Sequence, residues 1–117
     1  LNTGAEALSG STRMKAGSAT KMALNAITTG AMARAGKIYG NLMVDVQPTN
    51  RKLVARATRL IGQIAQTDEA TAARCLHDAR GSVKIAIIMH QKSCTYAAAK
   101  RLLQKHRGFL REALHEK

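Results

Sequence analysis

Apolar positions recur at helical spacing through most of the 117 residues. The first pattern predicts a long helix over about Thr12–Ala35, stopped by Gly36 just past its end. Two stripes run along it. Ser11, Lys15, Ser18, Asn25 and Thr29 form a polar stripe, and Lys21 lies off it. Ala16, Ala19, Ala23, Ala26, Ile27 and Gly30 form a stripe of small side chains that permits close approach of a neighbour. The period then breaks. Tyr39, Leu42, Met43, Val44 and Val46, bounded by glycines and Pro48, predict an extended segment over 36–47 that needs a pairing partner, with Asp45 as a turn or capping residue.

Helical spacing resumes at Thr49 or Asn50, either of which can cap a helix to about Ala65. Leu53, Ala57, Leu60, Ile61 and Ile64 make its apolar stripe, and Lys52, Arg56, Arg59 and Gln63 its opposite face. Three short helices follow. The first is expected over about Asp68–Ala79, with Thr67 as cap and Asp68 and Glu69 complementing the helix dipole. Arg80-Gly81 ends it. The second, about Ser82–Gln91, is apolar almost all round and predicts the centre of a small core. The third, about Thr95–Lys105, presents Tyr96, Ala99, Leu102 and Leu103, and a last turn after Gly108 carries Phe109, Leu110, Ala113 and Leu114. The whole pattern is mostly α.

Charge changes this picture little. A formal net charge of +12 suits a nucleic-acid binder. One Phe, two Tyr and no Trp leave few platforms for base stacking, and the cations are spread along every helix. Solvated helix faces are therefore the expected reading, and nucleic acid is not an expected partner. The longest uncharged run, Met22–Ala33, is too short and too rich in Asn and Thr to span a membrane. With no signal peptide and two cysteines that make no disulfide framework, a cytoplasmic location is expected.

The densest chemistry lies in Gly10–Lys21, where Ser11, Thr12, Arg13 and Lys15 crowd the start of the long helix. Unpaired N–H groups and a partial positive charge at a helix N-terminus, joined by hydroxyls and cations, suit a phosphate. The competing reading is that Ser11 or Thr12 only caps the helix and the cations are solvated.

The wider string Gly4-Ala5-Glu6-Ala7-Leu8-Ser9-Gly10-Ser11-Thr12-Arg13-Met14-Lys15, closing with Lys21, resembles the signature shared by N-acetylmuramic acid 6-phosphate etherases and glucokinase regulatory proteins. The resemblance runs on through Leu24-Asn25 and Gly36–Val46 to the last helix, and Asn41–Val46 with the helical tail favours the etherase. It implies a C-terminal fragment of a protein more than twice this length, which agrees with a first residue other than Met. It implies residues 1–48 as the end of an α/β sugar-isomerase-type phosphosugar-binding domain, 49–66 as a connecting helix, and 67–117 as a small bundle of ubiquitin-associated type. The loop Arg80-Gly81-Ser82 departs from the Met-Gly-Phe/Tyr pattern of ubiquitin binders, so ubiquitin is not an expected partner.

The resemblance further implies a homodimer and a carbon–oxygen lyase. That enzyme cleaves the D-lactyl ether of N-acetylmuramic acid 6-phosphate to N-acetylglucosamine 6-phosphate and D-lactate, without metal or organic cofactor. Glu6, Ser11, Thr12, Arg13 and Lys15 are the candidate substrate-binding residues. The catalytic glutamates of the family fall upstream of any residue here, so no catalytic residue is assigned and the chain alone is expected to be inactive. A non-catalytic phosphosugar-binding regulator, a helical nucleic-acid binder and a pure dimerisation module are the alternatives. Elsewhere the chain offers little: Cys75 and His77 point to different helix faces, and His90, Cys94 and His106 have no metal-ligand spacing.

Overall fold

A computed structural model describes residues 1–116 and divides them between two compact units, Leu1–Arg34 and the part that begins at Ala35. Helices dominate both, as the period required.

The first unit is a loop followed by one helix, α1, Lys15–Arg34, 20 residues long and without a buried side chain. It starts three residues later than its apolar pattern suggests, because Thr12–Met14 form a turn. The Thr12 carbonyl accepts the Gly17 N–H at 2.9 Å and the Met14 carbonyl the Ser18 N–H at 3.0 Å. Ala16, Ala19 and Ala23 of the small-residue stripe are half-buried, whereas Ala26, Ile27 and Gly30 are exposed.

The second unit opens with a hairpin. Strands β1, Ile38–Tyr39, and β2, Leu42–Met43, pair antiparallel with Tyr39 opposite Leu42 and Ile38 opposite Met43. The extended segment therefore supplies its own partner, which corrects the expectation of an external one. The reason is local. Gly40 adopts φ +60°, the conformation that the first central position of a two-residue hairpin turn demands and that glycine reaches without penalty. The Val44 N–H donates to the Lys37 carbonyl at 3.0 Å and extends the ladder by one bond.

Five helices follow: α2 (Arg51–Ala65), α3 (Glu69–Asp78), α4 (Val83–Lys92), α5 (Tyr96–Lys105) and α6 (Leu110–His115). Side-chain caps start four of them. Asn50 accepts from the Leu53 N–H at 2.9 Å, and Asp68 from the Thr71 N–H at 2.9 Å. Ser82 and Thr95 cap α4 and α5. Asp68, not Thr67, is thus the cap of α3, because its carboxylate reaches the amide three residues on. The Arg80-Gly81 and Arg107-Gly108 turns end α3 and α5 in the same way. In each, both residues have positive φ and the glycine N–H returns to the carbonyl five residues back, Leu76 and Leu103 respectively.

The core lies on α4, whose Val83, Ile85, Ala86, Ile87 and Ile88 are buried against α2, α3, α5 and α6. Ala57, Leu60 and Ile61 of α2, Ala72 and Leu76 of α3, Ala99 of α5, and Leu110 and Ala113 of α6 complete it. Val44, just after the hairpin, is 1% exposed and belongs to the same cluster, with Tyr39, Leu42 and Val46 packed at its edge. The basic face of α2 (Lys52, Arg56, Arg59 and Gln63) is exposed, as its spacing required. Among the described residues no helix is long and apolar enough to cross a membrane.

Candidate functional site

Glu6 decides the geometry of the predicted phosphate-binding stretch. Its carboxylate spans the start of α1: one oxygen accepts the Lys15 N–H and the other the Ala16 N–H, both at 3.0 Å. A carboxylate is favoured there because those amides have no intrahelical acceptor and the helix dipole places partial positive charge around them. The Lys15 ammonium turns back to the Ala5 carbonyl at 2.9 Å. Glu6 and Ala5 are thereby tied to Lys15 and Ala16, and residues 7–14 are closed into a loop. Within it the Ser11 N–H donates to the Leu8 carbonyl at 3.1 Å, around Gly10 at φ +80°.

This arrangement separates the five candidates into two groups. Glu6 and the Lys15 backbone build the loop, and with the Thr12 and Met14 carbonyls they occupy the first amides of α1. Neither the Ser11 nor the Thr12 hydroxyl caps the helix; the remote carboxylate does. Thr12 and Arg13 are exposed and Ser11 is half-buried. Among the described residues, the side chains of these three form no hydrogen bond or ion pair. The loop thus presents two hydroxyls and a guanidinium, with the Lys15 ammonium alongside retaining two further N–H donors beyond the one given to Ala5. Such a set can hold an anion through side chains, with the helix amides already spent on Glu6.

Other candidate chemistry is elsewhere. The α3–α4 packing brings Cys75 Sγ to 3.8 Å from His90 Nδ1, a neighbour that the sequence spacing did not suggest. Cys94 instead points to the Ile88 carbonyl at 3.9 Å. Among the described residues no three His, Cys, Asp or Glu side chains gather as a metal site would require. A cleft of about 350 Å³ between α2 and α3 is lined by Thr58, Arg59, Gln63, Thr67 and Glu69, without a nucleophile or a base–acid pair.

Two carboxyl groups sit below their ordinary range. Asp68 does so because the Thr71 backbone N–H, then its hydroxyl, favour the ionised cap. Glu116 does so through hydrogen bonds from Lys105 first and His106 second. Lys105 Nζ lies 2.7 Å from Glu116 Oε1, His106 Nε2 contacts the other oxygen, and Lys92 Nζ donates to the Glu116 carbonyl.

The residue that sequence reasoning passed over is Lys84. It is 8% exposed on α4, and its ammonium donates to the Gly36 carbonyl at 3.0 Å and the Gly108 carbonyl at 3.1 Å. Asp45 stands 3.4 Å away and also faces Lys37 at 3.4 Å, so it pairs cations where a turn or cap was expected. The sequence signal was present: Lys84 is the one charge within the apolar run Val83–Met89.

A loop that carries Ser11, Thr12, Arg13 and Lys15 and is tied by Glu6 precedes α1, and a hairpin and five helices follow in the chain. Comparison with known proteins gives the particular lineage. The chain is 54% identical over 114 residues to the N-acetylmuramic acid 6-phosphate etherase of Geobacillus sp. (strain WCH70), covering 97% of this chain and 39% of that protein. Proteins of the same name from Microcystis aeruginosa and Edwardsiella ictaluri are 51% and 47% identical, again over 97% of this chain and over 37% and 38% of theirs. The chain is therefore homologous to N-acetylmuramic acid 6-phosphate etherases, and it spans less than two fifths of the length of these curated relatives. No protein-family model matches it.

Proposed function

We propose that this chain is the C-terminal part of a cytoplasmic, homodimeric etherase that converts N-acetylmuramic acid 6-phosphate to N-acetylglucosamine 6-phosphate and D-lactate, a carbon–oxygen lyase. The observation that carries the reading is identity near one half to etherases along 97% of the chain, the signature included. In this reading residues 1–48 close a sugar-isomerase-type domain, 49–66 connect, and 67–117 form a bundle of ubiquitin-associated type that does not take ubiquitin. The short α3, α4 and α5 with their tight Arg-Gly turns support the last assignment.

The roles follow from the loop. Ser11, Thr12, Arg13 and Lys15 hold the substrate's phosphate through hydroxyl, guanidinium and ammonium donors, in charge-assisted hydrogen bonds. Glu6 contributes indirectly, by capping α1 and fixing the loop that presents them. The reaction removes the C2 proton beside the carbonyl of the open-chain sugar, expels lactate from C3, and adds water there. It needs a base and an acid. The carboxylates of this chain have other places: Glu6 on amides, Asp45 on lysines, and Asp68, Glu69, Asp78, Glu112 and Glu116 on or flanking the helices α3 and α6. The catalytic pair is accordingly assigned outside residues 1–117.

D-lactate release from N-acetylmuramic acid 6-phosphate by the etherase-length protein tests the proposal. The expected result is activity, with kcat/KM lowered roughly tenfold or more by Arg13→Ala with Lys15→Ala, since each charge-assisted bond contributes about 1.5–3 kcal/mol. A folded protein that binds the sugar phosphate but releases no lactate would overturn the enzyme reading in favour of a regulatory binder.

A further inference from the structure

Lys84 carries an inference that the phosphosugar reading does not require. A two-stranded hairpin with two residue pairs is marginal alone in water, so β1 and β2 hold their shape because something docks them. Two devices do so. One is Val44, buried in the core. The other is the Lys84 ammonium, which donates to the Gly36 carbonyl before the hairpin and the Gly108 carbonyl of the α5–α6 turn, and forms an ion pair with Asp45 after the hairpin. The hairpin's two ends are thus pinned to one buried charge. The fit is close: Gly36 has φ +67°, and a side chain there would meet the Gly108 carbonyl oxygen at 3.0 Å.

We infer that residues 36–46 form a strap held on the helical bundle by Lys84, which opens and closes as one piece while the helices stay folded. The physical reason is the nature of the clamp. A buried charge is desolvated when the strap closes and regains its water when the strap opens, so opening costs mainly the re-exposure of Val44 and the apolar side chains beside it. An apolar residue at position 84 would leave two carbonyls converging on an empty point, without the donor that draws them together, and would so weaken the closed strap. Lys84 is therefore a positioning residue for the segment that begins two residues after α1 ends.

Amide hydrogen exchange on the 117-residue chain tests this, because exchange reports local opening separately from global unfolding. In Lys84→Met, the Val44 amide and those of 38–43 are expected to exchange at least tenfold faster, while the Ile61 and Ile87 amides keep their rates. Asp45→Asn, which removes the ion pairs to Lys84 and Lys37 and keeps the two carbonyl bonds of Lys84, is expected to accelerate the same strap amides by a smaller factor. It decides the matter if Lys84→Met does not fold. Equal acceleration of strap and helix amides, or unchanged strap amides in Asp45→Asn beside a folded but unaltered Lys84→Met, would overturn the inference.

Discussion

The two units use the same helical pattern to opposite effect. α1 is the longest helix, yet none of its 20 residues is buried, and Met22, Leu24 and Ile27 are 71%, 56% and 67% exposed. α4 is half as long and buries six consecutive residues, Val83–Ile88. Helices of ordinary sequence draw most of their stability from packing an apolar face, and propensity supplies little of it. The second unit obeys that rule with a core of its own. The first is held by the hydrogen bonds of its loop, chiefly the Glu6 carboxylate on the α1 amides and the Lys15 ammonium on the Ala5 carbonyl. α1 thus leaves its apolar residues uncovered, in a chain that spans less than two fifths of the length of its curated relatives.

The comparison breaks most visibly in the core. Ile87→Ala is expected to lower the unfolding free energy by about 2–5 kcal/mol in urea titration, because it opens a cavity at a fully buried position. Ile27→Ala on α1 should stay within about 0.5 kcal/mol of the parent in the same experiment. A large loss from Ile27→Ala would show that α1 is packed after all. Gly36→Ala comes next, at about 1–3 kcal/mol, from the positive φ and the approach of the Gly108 carbonyl. An unchanged denaturation midpoint would mean that this junction relaxes freely.

The smallest effect is the acid limb of stability. Asp68 and Glu116 have folded-state carboxyls below their ordinary range, so the unfolded chain binds protons first as the pH falls. Their contribution is complete above the ordinary carboxylate range and is lost as pH drops through the depressed values. For Glu116 the charged groups around it are Lys92, Lys105, His106 and Glu112. Asp68→Asn with Glu116→Gln should flatten that limb in thermal melts between neutral pH and the acid transition. An undiminished acid slope would assign it to other carboxylates.

Much of the second unit was legible residue by residue. The α2 stripe, the all-round apolar α4 and the Arg-Gly stops are consequences of period and turn chemistry, which are local. The errors were also instructive. The hairpin is hidden in the apolar run because Gly40-Asn41 interrupts it by only two residues, and a two-residue turn of that kind lets a strand pair with the next few residues. The cap of α1 was misplaced because its carboxylate lies nine residues before the first amide it binds, outside the window in which capping is read from sequence.

The candidate loop shows the same division. Composition alone identified Ser11, Thr12, Arg13 and Lys15 as a phosphate-suited cluster, and the signature brought Glu6 in with them. Only the fold distinguished the residue that builds the loop from those that it presents. By itself the sequence determined which segments are helical, where they stop, which faces are apolar, and which lineage the chain resembles, because these depend on neighbours within a few positions or on the residues as a string. The tertiary structure decided the partners of Glu6, Asp45 and Lys84, since each satisfies a charge with groups 8 to 48 residues away.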